Sequence, residues 1–289
     1  MLGRPRRHAF VPPLDGTPSK GPPMATVDTL LPSGPATVDY LVSGTGPGVL
    51  LIHGTGADPE GNWGPLIAEL ADRFTVVAVN LPGAGATSDP GGPLTIDDLA
   101  TQAVAAAEAA GLSSYHLVGH SLGGVVATAI AARRPDAALS LTAHGSWITT
   151  DPRMAFQFDL WARLLRSDKE LLARHLQLTA FSAATLGSMS DEQFATAAQG
   201  FTAMLDERII RQIELDGQVD ISTLLPAVQT PTLVIASTDD QIVPPSHQRE
   251  LAARITGAQY IELPAGHGLP FENPALFTTT IAAFLDRQR

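Results

Sequence analysis

From about residue 27 onward, short runs of apolar and β-branched residues recur along the chain: TVDTLL, ATVDYLV, GVLLI, TVVAVN, YHLVG, LSLTA, TLVIAS and QYIEL. Ala-rich windows with helical spacing lie between several of them. GVLLI, TVVAV and TLVI are apolar at every position rather than at alternate ones, as expected of central parallel strands covered by helices on both faces. ATVDYLV alternates and reads as an exposed antiparallel edge. This rhythm predicts an α/β fold built on a mostly parallel, doubly wound, eight-stranded sheet.

Three helices are legible from their ends. One starts at LTIDDLA with Thr95 as N-cap and Asp98 three residues on, and Gly111 stops it. A second runs from Ser121 to Arg134, with Leu122, Val125, Val126, Ala129 and Ile130 on one face and Pro135 ending it. The last spans Pro274 to Asp286. Between Gly145 and Thr232 the alternation stops, and residues 147–222 offer helical windows without a strand, too many for one crossover. The chain therefore divides into a core of residues 25–146 and 223–289 and a helical lid of residues 147–222. In that lid Met154, Phe158, Trp161 and Leu165 form one helical stripe flanked by Phe156, Leu160 and Leu164, a face broad enough to pack a subdomain or to roof a pocket.

Composition narrows the chemistry. The 289 residues are 44% hydrophobic, enough for a large core, and the formal charge of -11 disfavours a nucleic-acid or anionic-membrane surface. No cysteine is present, which removes disulfides, thiolate metal sites and a thiol nucleophile. No apolar run approaches the length of a membrane helix, and Arg4, Arg6 and Arg7 are not followed by the apolar segment of a secretory signal, so a cytoplasmic protein acting on a small molecule is expected. Residues 1–24, with six prolines and three glycines, read as a flexible tail.

The segment LVGHSLGGVV places Ser121 between Gly119 and Gly123, after an apolar strand and before a Pro-terminated helix. A strand that turns abruptly into a helix forces unusual backbone angles at the serine, and side chains two positions to either side would collide. Such a bend lifts the hydroxyl above the sheet edge and leaves the Leu122 N–H, at a helix N-terminus, free to meet developing negative charge.

With these features the chain resembles the α/β-hydrolase family from about residue 27 to its end. That resemblance implies an oxyanion loop after the third strand, where GVLLIHGTG puts His53 and Gly54, with Thr55 as second backbone donor and Gly54 or Gly56 as alternatives. NLPGAGATSDP is similar to the family's DLPGxGxS loop, with Asn80 where Asp is usual and Ala84 where a larger side chain often sits. PAGHGLPFENP is similar to the family's GHxxxxExP loop and makes His267 the catalytic base, with Glu272 and Pro274 completing the motif. PTLVIASTDDQIVPP resembles the turn after the seventh strand, and its Val-Pro pair aligns Asp240 with the catalytic acid, Asp239 being the alternative and Ser237 replacing a common glycine.

A serine hydroxyl needs a base, and the base a partner that fixes its tautomer. Among the other histidines, His144 is the one competitor that could line the pocket; His53 is expected to brace the oxyanion loop, and His120 to be packed beside the serine. Gly54, His120, Trp147, Phe158 and Trp161 are the expected substrate contacts, with loop residues such as Trp63 beside them. The expected activity is cleavage of an ester, thioester or lactone through an acyl-enzyme, without metal or organic cofactor. A carbon–carbon bond hydrolase, an acyltransferase, a cofactor-free haloperoxidase and a small-molecule-binding or rearrangement protein retaining the triad are the alternatives.

Overall fold

A computed structural model describes residues 24–289. The predicted tail lies outside the described residues except for Met24, which opens the first strand, and His8 lies outside them too. Eight strands form one sheet: β1 (Met24–Leu31), β2 (Gly34–Ser43), β3 (Gly48–Ile52), β4 (Thr75–Val79), β5 (Tyr115–His120), β6 (Ala138–His144), β7 (Thr232–Ser237) and β8 (Gln259–Leu263). Their order is β1-β2-β4-β3-β5-β6-β7-β8, with β1 and β2 antiparallel and β3 to β8 parallel.

The edge strand is β1, not ATVDYLV. β2 is hydrogen-bonded on both sides, to β1 and to β4, and is largely buried. The alternation belongs more clearly to β1, whose Leu30 is 76% exposed. A strand's own pattern reports its two faces but not whether a further strand pairs along its side.

The continuous apolar runs are explained by two cores. Leu50, Ile52, Val77 and Val79 point to one face of the sheet, and their neighbours Val49, Leu51, Val76 and Ala78 to the other. On the first face pack α2 (Ile96–Ala109) and α3 (Leu122–Arg133); the second is covered by α1 (Pro59–Leu70) and α11 (Pro274–Asp286). The Thr95 hydroxyl accepts from Asp98 N and starts α2, and Gly111, at φ +82°, follows its end. α3 is buried from Leu122 through Ala132, so its apolar surface is wider than the single face expected.

Between β6 and β7 the chain makes five helices: α4 (Pro152–Ser167), α5 (Lys169–Ala180), α6 (Ala183–Leu186), α7 (Asp191–Met204) and α8 (Ile210–Asp216). The two ends of this insertion are clasped, Thr150 N donating to Val219 O at 2.9 Å and Ile221 N to Ile148 O at 3.0 Å. α9 (Pro245–Arg254) follows β7, and the short α10 (Leu269–Glu272) precedes α11. Among the described residues no helix is long and apolar enough to cross a membrane.

Candidate active site

Ser121 sits at the junction of β5 and α3 with φ 54° and ψ -123°, alone among the described non-glycine residues in having positive φ. Such a conformation costs about 1–3 kcal/mol and persists only where its surroundings enforce it. Here Ser121 N donates to His144 O at 2.8 Å, and Ser121 O accepts from Gly124 N at 2.8 Å. The flanking glycines are required by close approach: a Cβ on Gly119 would stand 2.2 Å from Gly123 O, and one on Gly123 would stand 2.0 Å from Ile52 O. Gly123→Ala must therefore push α3 off β3, and is expected to lower the melting temperature by about 10 °C or more. A thermal melt beside wild type checks this.

His267 lies in the loop between β8 and α10, and its Nδ1 is 2.8 Å from Asp240 Oδ2. Asp240 is 4% exposed, and its other oxygen accepts from Ile242 N at 3.0 Å and Val243 N at 2.8 Å. With Nδ1–H donated to this carboxylate, Nε2 is the free, proton-accepting nitrogen. Asp239 faces solvent. Gln248, a residue that carries no sequence signal, completes the arrangement: its amide donates to Asp240 Oδ2 at 3.2 Å and Val243 O at 2.8 Å and accepts from Gly145 N at 3.0 Å. Ser121 and His267 line one cavity, although no hydrogen bond joins them among the described residues.

Side chains choose among the three backbone N–H groups after β3. Gly54 N donates to Asn62 Oδ1 at 3.1 Å and Gly56 N to Gln212 Oε1 at 2.9 Å. Neither Thr55 N nor Leu122 N has a protein partner among the described residues. His53 accepts from Leu81 N at 3.0 Å and donates through Nδ1 to Gly54 O at 2.7 Å, holding the loop from beneath. Complete burial pushes its pKa down to about 4.

His120 lines the cavity, and its Nδ1 is 2.9 Å from Nδ1 of His144, whose Nε2 is 3.0 Å from Ser237 Oγ. His144 lies behind His120 and does not line the cavity. Burial, reinforced by repulsion between neighbouring rings, holds both pKa values well below the usual histidine range. The four buried histidines whose pKa burial lowers, His53, His116, His120 and His144, have a consequence for stability. The unfolded chain protonates these rings below about pH 6.5, whereas the folded chain resists, so stability present above pH 6.5 is lost as pH falls toward 4. His53 alone accounts for about 3 kcal/mol. Asp216, whose carboxyl burial raises well above the usual range, opposes this as one group against four. Melting temperatures measured at pH 7, 6 and 5 are expected to fall; a flat profile would contradict the assignment.

The cavity, of about 120 Å³, is walled on one side by the Ser121 elbow and the Gly54–Ala57 loop, and on the other by the insertion, including Leu172, Phe201, Ile213 and Trp161. Of the residues named as substrate contacts, Gly54, His120 and Trp161 line it, whereas Trp147 and Phe158 do not. Trp147 is fully buried, donates Nε1–H to Thr150 Oγ1 and stacks on Phe158 with centroids 5.9 Å apart; Phe158 in turn meets Trp161 edge-on at 5.2 Å. They form the layer behind Trp161, because helical periodicity identifies a buried face without saying which surface it meets. Trp63 is on the other side of the sheet, stacked on Phe277 at 5.9 Å. Phe156 is 74% exposed.

Two ties join the insertion to the core loops. Glu272 accepts from Gly266 N, beside His267, and from Ser182 N, Ser182 Oγ and Thr185 Oγ1 of the insertion. From α8, Gln212 holds Gly56 N and donates to Pro82 O at 2.7 Å, while Asp216 Oδ2 accepts from Thr55 Oγ1 at 2.6 Å. Asn80, where an Asp is usual, donates to buried Asp39 at 2.9 Å; a second carboxylate there would face the first. Neither Asn80 nor Ala84 lines the cavity.

A sequence model of the alpha/beta hydrolase fold matches residues 47–274. Pyrrolizixenacetamide deacetylase from Xenorhabdus hominickii is 40% identical over 254 residues, spanning 87% of this chain and 96% of that protein. Among solved structures, a thermophilic esterase from Thermogutta terrifontis superposes with a TM-score of 0.79 at 26% identity, covering 92% of this chain and 99% of the other. The enol-lactonase from Burkholderia xenovorans LB400 gives 0.77 at 26% identity, with 87% and 97% covered. Sheet order, the serine at the strand–helix bend and these likenesses agree: the chain belongs to the α/β-hydrolase family and is a hydrolase.

Proposed function

We propose that the protein is a serine hydrolase that cleaves a neutral carboxylic acid derivative through an acyl-enzyme on Ser121. The observation that carries this reading is the 2.8 Å contact of His267 Nδ1 with buried Asp240, which leaves Nε2 basic at the cavity that Ser121 also lines. His267 takes the Ser121 proton as Oγ attacks the substrate carbonyl. Negative charge collects on the carbonyl oxygen, where the N–H groups of Thr55 and Leu122 receive it. His267 then protonates the leaving group and in the second half-reaction takes a proton from water, which releases the acid and restores the serine. Asp240 keeps the ring in one tautomer and stabilises its cation. The insertion acts as a lid that excludes bulk water.

The relatives widen the expected range of bonds: one is named a deacetylase of an acetamide, and the structural neighbours are an esterase and an enol-lactonase. Esters, thioesters, lactones and acyl amides are therefore the candidate substrates. Hydrolysis of p-nitrophenyl acetate and of N-acetyl arylamines tests this. Turnover lost in Ser121→Ala is expected; equal turnover in the variant contradicts it.

The ties from α8 to the loop after β3 make Gln212 a positioning residue for the Thr55 N–H. Gln212→Ala should lower kcat by about tenfold, with a smaller change in KM, because misplacing one oxyanion donor acts on the transition state. Steady-state kinetics on p-nitrophenyl acetate checks the split; an unchanged kcat would remove the role.

A further inference from the structure

Behind the reacting serine, three side chains form a hydrogen-bonded chain that the mechanism above does not use. His120 Nδ1 is 2.9 Å from His144 Nδ1, and His144 Nε2 is 3.0 Å from Ser237 Oγ. All three residues are buried, Ser237 completely. The two rings have centroids 4.9 Å apart and planes within 15° of parallel, so the 2.9 Å contact runs in the ring planes, where the N–H and the lone pair of an imidazole point.

The other end of the chain reaches the catalytic cavity, which His120 lines together with Gly54, Ser121 and His267. A Cβ on Gly54 would stand 3.0 Å from His120 Cδ2 and 3.1 Å from Ser121 Cβ, and one on Gly145 would stand 3.6 Å from His120 Cε1 and 2.9 Å from His267 Cε1. The ring edge that carries Nε2 is therefore bordered by two glycines, one beside the nucleophile and the other beside its base. Nε2 has no hydrogen-bond partner among the described residues and is open on this edge rather than sealed.

The direction of the chain follows from its closed end. Neither ring is paired with a carboxylate among the described residues, and burial keeps both neutral, so each carries one N–H. Only two proton arrangements then make both contacts. In the first, Ser237 donates to His144 Nε2, His144 Nδ1–H donates to His120 Nδ1, and His120 carries its proton on Nε2. In the second every bond is reversed, and the Ser237 O–H is left with nothing to meet, since Oγ has no other partner among the described residues. An orphaned donor in a fully buried place is the costlier outcome. The first arrangement has none, because its one unmatched N–H opens on the cavity, where water or substrate accepts it.

We propose that Ser237 and His144 hold His120 as a neutral Nε2–H donor that meets an oxygen of the substrate next to Ser121. The proposal rests on the acyl-hydrolase reading and adds a side-chain donor to the two backbone N–H groups, with His144 as its positioning residue. The neighbouring rings are thereby set in opposite tautomers. His267 faces a buried acceptor, Asp240, and keeps a basic Nε2; His120 faces a buried donor, His144, and keeps a protonated one.

Nitrogen-15 NMR of the histidines in the full-length protein reads the tautomers directly. His120, assigned by the signals lost in His120→Gln, should be protonated on Nε2 and bare on Nδ1. His144 should be protonated on Nδ1, with a scalar coupling across the hydrogen bond to His120 Nδ1, a signature that a merely structural role would not produce. Reversed tautomers, or signals averaged between the two, overturn the chain and the donor together. Kinetics on p-nitrophenyl acetate tests the contact with substrate. His120→Phe, which keeps a flat ring and removes the donor, should lower kcat/KM about tenfold or more. His120→Gln, whose Nε2 lies as many bonds from the backbone as that of histidine, should recover most of the loss. A His120→Phe variant within about twofold of wild type, or equal losses in the two variants, overturns the substrate contact and leaves the hydrolase reading intact. Absence of turnover of every ester by wild type removes that reading and the substrate contact with it, while the tautomers still decide the chain.

Discussion

Alanine at position 121 is expected to lower kcat/KM for any accepted ester or amide by about 10⁴-fold or more, the loss that follows when the attacking group of a nucleophile–base unit is removed. The expectation follows from the elbow. Ser121 is held in a positive-φ conformation by the hydrogen bonds to His144 O and Gly124 N. Alanine can adopt this conformation at a cost similar to that of serine, so fold and cavity should survive. KM should change little, and the melting temperature by no more than a few degrees. A stable variant retaining a tenth of the wild-type rate would show that another group forms the covalent bond, or that none does.

The second large effect separates two adjacent carboxylates. Asp240→Asn should cost about 10³–10⁴-fold in kcat, because an amide facing His267 Nδ1 can present its NH₂ and leave the ring protonated on the wrong nitrogen. The replacement is nearly isosteric, and its amide oxygen can still accept from Ile242 N and Val243 N, while the NH₂ that replaces Oδ2 no longer accepts from Gln248. Asp239 faces solvent, and Asp239→Asn should change kcat less than twofold. Comparable losses in the two variants would contradict the assignment. Gln248→Ala should fall between them, since it removes a hydrogen bond to Asp240 without removing the carboxylate.

The sequence makes legible whatever is encoded within one segment. Strands covered on both faces read as unbroken apolar runs, and the elbow reads as two glycines that meet Gly123 O and Ile52 O at distances no Cβ could tolerate. What it hides are contacts between segments far apart. Asn62 and Gln212 occupy the N–H groups on either side of Thr55, one eight residues along the chain and the other 156, and neither belongs to a motif. Gln248 and Asp216 lie among other polar residues of α9 and α8, with nothing in the sequence to set them apart. Trp147 and Phe158 fall on the expected buried face but meet Trp161 rather than the cavity. Pairing at the sheet edge is hidden for the same reason: β2 gives no sign that β1 folds along it.

Under the proposed mechanism the Ser121 hydroxyl is activated within this cavity, and a fluorophosphonate applied to the intact protein, followed by peptide mass spectrometry, reads that activation. A single phosphonyl adduct on Ser121 is expected, formed slowly or not at all in His267→Ala. An adduct confined to another residue, or equal labelling of Ser121 in the His267 variant, would contradict it.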